Sequence, residues 1–266
     1  MTRPVQLITS ADNPRFRAVL KLQQSSRERR KAGRSLLDGA HLTAAYLRHV
    51  GTPEEIVVSA SGLQNREVAA LIEESGSRPL VLSDGLFREL SSVTTPTGLI
   101  AVVQTPRPAA PPRVPGPCVI LEDIQDPGNV GSILRSAAAA GVDEVYLSAS
   151  SVHAWSPRVL RAGMGAHFAL RIYENVDLEA FVQSYPGTVF ATTREAGLPV
   201  FAADLRGCAG LLFGNEGAGL TPTLQRLARQ RISIPMPGNV ESLNVAAAAA
   251  VCLFERVRQI TALKSE

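Results

Sequence analysis

Short apolar runs that alternate with helical patterns constrain the fold of this chain more than any other feature. After Cys118 the sequence contains the runs VIL, LLF and ISI, each followed by a turn and then by a segment with helical character. Strands that are apolar on both faces are typical of a parallel sheet covered by helices on both sides. The sequence therefore predicts an α/β fold with a mostly parallel sheet, in which ligands bind beyond the carboxyl ends of the strands.

A proline-rich segment divides the chain. Residues 105–117, TPRPAAPPRVPGP, contain six prolines, and neither a core helix nor a central strand is compatible with that density. We predict a smaller amino-terminal α/β domain over residues 1–104, an extended linker over residues 105–117 and a second domain over residues 118–266.

Composition excludes several classes of protein. With 45% hydrophobic and 19% charged residues, the chain is typical of globular proteins rather than of disordered ones. The apolar run from Val245 to Phe254 is about half as long as a membrane span, and the amino terminus has no apolar signal segment, so we expect a cytoplasmic protein. The three cysteines form no CxxC pair and the four histidines show no metal-ligand spacing, so we expect no metal site.

A basic stretch lies near the amino terminus. Residues 15–34 carry eight basic side chains and one acidic side chain, whereas the whole chain has a net charge of only +3. Such a local excess of positive charge is typical of a surface that binds a polyanion such as RNA, although a solvated helix face is the alternative interpretation. The residues that we predict to bind RNA are Arg15, Arg27, Arg29, Arg30 and Lys31.

All three loops that follow predicted strands contain glycine beside polar residues, and the first two are EDIQDPGNVGSILR and LLFGNEGAGL. In EDIQDPGNVGSILR, Asn129 stands at a predicted helix start and Arg135 about two turns later. In LLFGNEGAGL, Glu216 follows Gly214, but Leu220 occupies the position where a phosphate-binding loop needs lysine. A nucleotide triphosphatase is therefore disfavoured, and no GxGxxG motif supports a dinucleotide dehydrogenase. For Arg135 a surface ion pair is the alternative interpretation, and for Glu216 a helix cap.

The third loop, in ISIPMPGNVESLNVAAA, leads into the last helix. Pro235 ends the preceding strand, and Ser242 stands where an N-cap is expected. Prolines and small polar residues in such a turn are able to surround an uncharged adenine through backbone hydrogen bonds, with apolar contacts from Ile234, Met236 and Leu243. A capped helix without a ligand is the alternative interpretation of this loop taken alone.

Taken together, the segments NVGSILR, FGNEGAGL and ISIPMPGNVESLNVAAA resemble the SpoU/TrmH class of SPOUT RNA methyltransferases. ITSADNPRFR, SLLDGAHL and SSVTTPTGLIAVV resemble the substrate-binding domain that many of these enzymes carry, so the resemblance covers nearly the whole chain. It implies a homodimeric enzyme that moves a methyl group from S-adenosylmethionine to a ribose 2′-hydroxyl of RNA. It also implies a deep trefoil knot in the catalytic domain, a feature that general topology rules disfavour.

The resemblance also implies roles for particular residues. The catalytic positions of the family correspond to Asn129, Arg135, Glu216, Ser242 and Asn244. The cofactor-binding positions correspond to Thr192, Gly214, Ile234, Met236 and Leu243. In the segment SPRVLRAGMGAHF, Arg158 and Gly163 replace a lysine and a serine of the family pattern, which affects only expectations about contacts to RNA or between subunits.

The mechanism that we expect follows from these roles. Arginine stays protonated near neutral pH, so we expect Arg135 to act on the adjoining phosphate and the developing oxyanion rather than as a base. Asn129, Ser242 and Asn244 would hold the ribose. Glu216 would order its loop or an arginine of a partner subunit.

Several alternatives remain open from the sequence. The two-domain organisation favours 23S ribosomal RNA as the substrate, and transfer RNA is the alternative. A noncatalytic RNA-binding protein that has kept the fold is a rival from another class, and binding of S-adenosylmethionine separates it from an enzyme. A phosphate-binding nucleotide hydrolase is the second rival, and turnover of ATP or GTP would identify it.

Overall fold

The computed structural model describes residues 7–108, 115–194 and 197–263. The chain forms two compact units. Unit 1 comprises Met1–Pro106 and Trp155–Phe168, and unit 2 comprises Arg107–Ala154 and Ala169–Glu266. Part of the predicted linker falls on residues 109–114, which lie outside the described residues. No helix in the described ranges combines the length and the apolar character that are needed to cross a bilayer.

Unit 1 contains a five-stranded mixed sheet. Its elements from the amino-terminal region are β1 (Leu7–Ile8), α1 (Pro14–Gln24), α2 (Ser26–Ala32), β2 (Arg34–Asp38), α3 (Ala40–His49), β3 (Glu55–Ser59), α4 (Arg66–Ser75), β4 (Leu80–Leu82), α5 (Asp84–Leu90) and β5 (Leu99–Gln104). The strand order is β1-β4-β3-β5-β2, with β5 antiparallel to both of its neighbours. The apolar residues of α1 and α5 pack with those of the sheet in one core.

The basic stretch near the amino terminus forms two helices. Asn13 caps α1, since its Oδ1 accepts a hydrogen bond from the backbone N–H of Arg15 at 2.9 Å. Ser25 then interrupts the helix in an extended conformation and caps α2 through its Oγ, which accepts from the N–H of Glu28 at 3.2 Å. Gly33 ends α2 in the left-handed region with a φ of 64°. The charge pattern alone carries no signal for this break.

Unit 2 contains a seven-stranded sheet in which every pairing is parallel. The elements of the carboxyl-terminal region are β6 (Cys118–Leu121), α6 (Pro127–Ala139), β7 (Glu144–Ser148), α7 (Pro157–Gly163), β8 (Arg171–Val176), α8 (Leu178–Ser184), β9 (Thr188–Thr192), β10 (Leu198–Pro199), β11 (Ala209–Phe213), α9 (Pro222–Leu227), β12 (Gln230–Ser233) and α10 (Val245–Leu263). All of these except α7 belong to unit 2. The strand order is β10-β12-β9-β11-β6-β7-β8. The predicted α/β fold with a mostly parallel sheet is confirmed.

Three details differ from the sequence patterns. The helix α6 begins at Pro127 rather than at Asn129, because Asp126 caps it and proline is favoured in the first turn. The edge strands β1 and β10 have two residues each, which is too short for any periodic signal. The segment that contains α7 follows β7 in sequence, but it packs with unit 1.

An aromatic contact joins the α7 segment, Trp155–Phe168, to the rest of unit 1. Trp155 is 2% exposed, and its ring lies against His167 with a centroid distance of 5.2 Å. Phe168 makes an edge contact with Tyr46 of α3 at 5.4 Å. Contacts that are distant in sequence therefore assign this segment to unit 1.

Candidate active site

Four neighbouring strands of unit 2 end at the same edge of the sheet. The order places β12, β9, β11 and β6 side by side, and all of them are parallel. The three predicted loops follow β6, β11 and β12. Because the carboxyl ends of parallel strands lie together, the strand order brings these loops to one place.

Glu216 connects the first two loops. Its Oε1 accepts hydrogen bonds from Nδ2 of Asn129 at 2.9 Å and from the backbone N–H of Asp126 at 3.1 Å. Its Oε2 accepts from the backbone N–H of Gln125 at 3.2 Å. Gln125 and Asp126 belong to the turn that leads into α6, and Asn129 lies in the first turn of this helix, so Glu216 holds the start of α6 against the loop after β11.

The same contacts determine the charge of Glu216. Burial by itself raises the pKa of the carboxyl group, but hydrogen bonds from Asn129 and from the backbone N–H groups of Glu216, Asp126 and Gln125 lower it. The net result is a pKa below the ordinary value of 4.5. Glu216 is therefore a carboxylate near neutral pH, where it accepts hydrogen bonds and donates none.

Asn244 joins the third loop to the other two. Its Nδ2 donates to Oδ1 of Asn129 at 2.9 Å, and its Oδ1 accepts from the backbone N–H groups of Ala246 at 2.9 Å and Ala247 at 3.3 Å. Asn244 is therefore the N-cap of α10. The prediction that Ser242 caps this helix is wrong, because the helix begins at Val245 and Ser242 lies in the turn before the cap.

The orientation of the Asn129 amide follows from its two partners. The carboxylate of Glu216 only accepts hydrogen bonds, and the Oδ1 of Asn244 is occupied by helix N–H groups. Asn129 must therefore donate to Glu216 and accept from Asn244. Each asparagine retains a second N–H; Asn129 is half-buried and Asn244 is exposed. The structure thus brings Asn129, Glu216 and Asn244 into one hydrogen-bonded chain.

A cleft lies at this edge of the sheet, next to the hydrogen-bonded chain. Its lining includes Glu216 and Ser242 from the predicted catalytic set. It also includes every residue that was predicted to bind the cofactor, namely Thr192, Gly214, Ile234, Met236 and Leu243. Apolar side chains complete the wall: Ile232, Val245, Ala248 and Cys252.

The residues of the cleft fit S-adenosylmethionine. A Cβ on Gly214 would lie 2.4 Å from the backbone carbonyl carbon of Gly219, so only glycine allows the backbone of this loop to come so close to itself. Thr192 is held by a hydrogen bond from its Oγ1 to the carbonyl oxygen of Leu212 at 2.9 Å. A cleft with apolar walls and polar groups at strand ends suits an adenine joined to a sugar. In the described ranges, no group of three or more His, Cys, Asp or Glu residues is placed to hold a metal ion.

Several lining residues were not singled out by the sequence patterns: Thr193, Arg194, Asn215 and Ser233, in addition to Cys252. Asn215 shapes the loop of Glu216, since its Nδ2 donates to the carbonyl oxygen of Asp123 at 2.8 Å and its Oδ1 accepts from the N–H of Gly217 at 2.9 Å. Thr193 and Arg194 directly follow β9. The rule that ligands bind beyond strand ends applies equally to the loop after β9, so this position was the signal that could have found them.

Arg135 lies apart from the hydrogen-bonded chain. It is on α6, about 9 Å along the helix axis from Asn129. Its side chain is exposed and is not among those that line the cleft. Within the described residues it forms no ion pair, so a surface pair with a carboxylate does not account for it.

The basic stretch lies on α1 and α2 of unit 1, with unequal exposure. Arg27, Arg30 and Lys31 of α2 are exposed. Arg15 is exposed on α1 and forms an ion pair with Glu55 of β3. Three cations on one short helix therefore form the basic surface, which we define as Arg27, Arg30 and Lys31.

Arg29 does not belong to this surface, which corrects the sequence prediction. Its side chain is 4% exposed, and its Nη1 donates to the carbonyl oxygens of Leu22 at 2.6 Å and Gln23 at 3.1 Å. Its Nη2 donates to Oγ of Ser26 at 2.7 Å. These carbonyl groups end α1 and have no partner within that helix, so Arg29 stabilises the junction of the two helices.

Two family matches divide the chain. Residues 116–254 match the SpoU rRNA Methylase family, and residues 13–101 match the MRM3-like substrate binding domain. The first match includes all three loops and the cleft. The second includes α1, α2 and most of the sheet of unit 1.

Relatives of similar length match nearly the whole chain. The 23S rRNA (guanosine(2553)-2′-O)-methyltransferase RlmP of Bacillus subtilis (strain 168) is 31% identical over 252 residues, which cover 93% of this chain and 97% of the relative. The crystal structure of the SpoU methyltransferase AviRb from Streptomyces viridochromogenes in complex with AdoMet is 27% identical, with a TM-score of 0.83, and the match covers 93% of this chain and 98% of that chain. The crystal structure of an RNA 2′-O ribose methyltransferase is 30% identical, with a TM-score of 0.81, and the match covers 96% of this chain and 99% of that chain.

The family match spans more than half of the 266 residues, and the relatives span more than nine tenths of them. The prediction that was drawn from the three loops is therefore confirmed, and the chain belongs to the SpoU rRNA methylase family.

Proposed function

We propose that this SpoU-family methyltransferase transfers the methyl group of S-adenosylmethionine to a ribose 2′-hydroxyl of 23S ribosomal RNA. The observation that carries the proposal is the hydrogen-bonded chain Glu216–Asn129–Asn244 at the edge of a cleft that fits the cofactor. The Bacillus subtilis relative with this activity in its name matches 93% of the chain, so the similarity extends well beyond the methylase region. This extent favours ribosomal RNA over transfer RNA.

We propose that the two predicted domains have different functions. Residues 1–104 would bind the RNA substrate, and residues 118–266 would carry out methyl transfer. The match of residues 13–101 to a substrate-binding domain supports the first assignment, and the match of residues 116–254 supports the second. The basic surface on α2 supplies cations for the phosphate backbone.

When it is bound in the cleft, S-adenosylmethionine supplies an electrophilic methyl group. Ile234, Met236 and Leu243 would hold its adenine through apolar contacts, and the backbone at Gly214 would lie close to it. Since the donor is already activated, the remaining task of the protein is to position the 2′-hydroxyl in line with the methyl group.

The polar residues at the edge of the cleft would hold the ribose. Asn129 and Asn244 each have an N–H whose direction is set by the hydrogen-bonded chain, and Ser242 adds a hydroxyl group in the cleft lining. Groups that are held in place before the substrate arrives lose little entropy on binding it. We assign ribose positioning to these three residues.

Proton removal is not assigned to Glu216 or to Arg135. The lowered pKa of Glu216 and the three hydrogen bonds that its carboxylate accepts make it a poor base. The guanidinium group of Arg135 has hydrogen-bond donors but no acceptor, and it is exposed, which suits contact with the phosphate next to the target ribose and with the developing oxyanion. The proton of the hydroxyl group would pass to water.

We propose that the chain works as a homodimer in the cytoplasm. Exposed apolar side chains support a partner surface on unit 2: Phe254 of α10 is 49% exposed, and Val240 in the turn before α10 is 63% exposed. Light scattering of the purified protein tests the dimer. A monomer at micromolar concentration would contradict it.

We also propose that unit 2 contains the trefoil knot of the SPOUT class. In support, β12 lies between β9 and β10, although β9 and β10 are consecutive in the chain. An experimental structure that traces residues 193–197 and 234–244 tests this topology.

The function is tested by incubating the purified protein with ribosomal and transfer RNA and methyl-labelled S-adenosylmethionine, followed by mapping of 2′-O-methyl groups. We expect label at one ribose of 23S RNA. Label in transfer RNA would identify the alternative substrate. Binding of the cofactor without any label in RNA would support the noncatalytic rival.

The role of Arg135 is tested by Arg135→Ala. We expect methyl transfer to fall by at least about 100-fold, because one oxyanion contact typically contributes 10²–10³ in rate, while the affinity for S-adenosylmethionine stays unchanged. Arg229→Ala is a matched control, since Arg229 is also exposed on unit 2 and does not line the cleft. Near-normal turnover of the Arg135 variant would contradict this role.

A further inference from the structure

Among the described residues that line the cleft, Arg194 is the only cation. It follows β9, and its side chain is exposed. Its Nη2 approaches the carbonyl oxygen of Gly217 at 3.5 Å, which is a long and weak hydrogen bond. In the part of the chain that the structure describes, Arg194 takes part in no ion pair. Most of its guanidinium donors are therefore available to a ligand.

The carboxylate that lines the cleft does not neutralise this cation. Glu216 already accepts hydrogen bonds from Asn129, Asp126 and Gln125. An arginine at the wall of a ligand cleft that has no counter-ion among the described residues is suited to bind an anionic group of the ligand. S-adenosylmethionine has a single anionic group, the carboxylate of its methionine moiety.

We propose that Arg194 binds the carboxylate of S-adenosylmethionine and so recognises the amino-acid end of the cofactor. The planar guanidinium group matches a carboxylate through two parallel hydrogen bonds. Arg194 lies two residues after Thr192 and contacts the loop of Glu216, so it belongs to the same wall as the predicted cofactor residues. The inference rests on the proposed cofactor site.

A phosphate of the RNA substrate is the other anion that the guanidinium group of Arg194 is suited to bind. The position of Arg194 in the lining of the cleft, together with the apolar residues that suit adenine, favours the cofactor. The two sources are separated by measuring cofactor binding in the absence of RNA.

The test is calorimetric titration of the full chain without RNA, with S-adenosylmethionine and with its decarboxylated analogue. We expect Arg194→Ala to weaken binding of S-adenosylmethionine roughly tenfold or more, and to leave binding of the analogue unchanged. Arg194→Lys keeps the charge but loses the two-pronged geometry, so an intermediate loss is expected. Arg229→Ala serves as the control for removal of an exposed charge.

Three results would overturn the assignment. Equal weakening of both ligands by Arg194→Ala would indicate a structural role. Unchanged affinity for S-adenosylmethionine would rule out the proposed ion pair, and weaker RNA binding with a smaller salt dependence in the same variant would assign Arg194 to a phosphate. If the wild-type protein binds neither ligand, the cofactor site itself is wrong, and this outcome is distinct from a failure of Arg194 alone.

Discussion

At the scale of single residues, the site depends on which groups donate and which accept. Glu216 accepts from Asn129, and Asn129 accepts from Asn244, so one carboxylate determines the direction of two amides. The depressed pKa of Glu216 means that its ionised form stabilises the folded site at pH values above the ordinary 4.5. This contribution is lost only as the pH falls through the lower value of the folded state.

Glu216→Gln should reduce methyl transfer on the order of 100-fold, because misplaced positioning groups cost about that factor. Glutamine keeps one acceptor oxygen, but its amide group would face an N–H of the turn before α6. Single-turnover assays at pH 6 and pH 8 should show the same loss, since Glu216 is ionised at both values. Glu241→Gln, in the exposed turn before α10, is the control. A defect that grows or vanishes between these pH values would contradict the assigned charge.

At the scale of elements, the first turn of α10 and the site share one residue. Asn244 accepts from two N–H groups of the helix and donates to Asn129. Its two functions use different atoms of one amide. The same side chain therefore contributes to helix stability and to the geometry of the site.

Substitutions at Asn244 separate these functions. Asn244→Ala should lose about 1 kcal/mol of unfolding free energy, together with activity, because the cap and the donor are both removed. Asn244→Asp should keep the stability, since a carboxylate still accepts from Ala246 and Ala247 and suits a helix N-terminus, but it should lose activity because Asn129 has no donor. Urea denaturation and methyl-transfer assays measure the two effects. An active aspartate variant would argue against the amide chain.

The helix α2 likewise combines a binding surface with a structural residue. Replacing Arg27, Arg30 and Lys31 of the basic surface by alanine should weaken RNA binding and lower the slope of its salt dependence by about 1 for each phosphate that the variant no longer neutralises.

Arg29→Ala should instead lower the free energy of unfolding by about 1–3 kcal/mol, because carbonyl groups at the end of α1 lose their donor. Filter binding at several salt concentrations and urea denaturation distinguish the two classes. An unchanged slope in the triple variant would refute the basic surface.

At the scale of the whole molecule, the two units are not simple halves of the sequence. The segment Trp155–Phe168 packs with unit 1, where α7 lies against β2 and Phe168 contacts Tyr46. A chain that begins at residue 107 would retain this segment and lose its packing partners. The apolar side chains of the segment would then be exposed to water.

The fluorescence of Trp155 reports on the packing of the α7 segment, because Trp155 is the only tryptophan of the chain and is 2% exposed. In a fragment of residues 107–266, we expect its fluorescence emission to shift to longer wavelength and the midpoint of urea unfolding to fall relative to the full chain. Chymotrypsin should also cut the segment faster in the fragment. Emission identical to that of the full chain would show that the segment packs without unit 1.

Local sequence patterns were enough to predict the α/β class, the family and the residue types of the three loops. Unbroken apolar runs, glycines at turns and the asparagine-containing motifs are local patterns, and they are recognised in the sequence without information about tertiary contacts. Thr193 and Arg194, which line the cleft in the loop after β9, had no such signal beyond their position after a strand.

Three features depend on contacts between distant parts of the chain: the hydrogen-bonded chain of Asn129, Glu216 and Asn244, the burial of Arg29 and the place of the α7 segment in unit 1. Asn129 and Asn244 are 115 positions apart in the sequence. Their contact follows from the order of the parallel strands, which depends on packing between distant segments. Periodicity and residue type describe each segment alone, so they carry no information about which strands become neighbours.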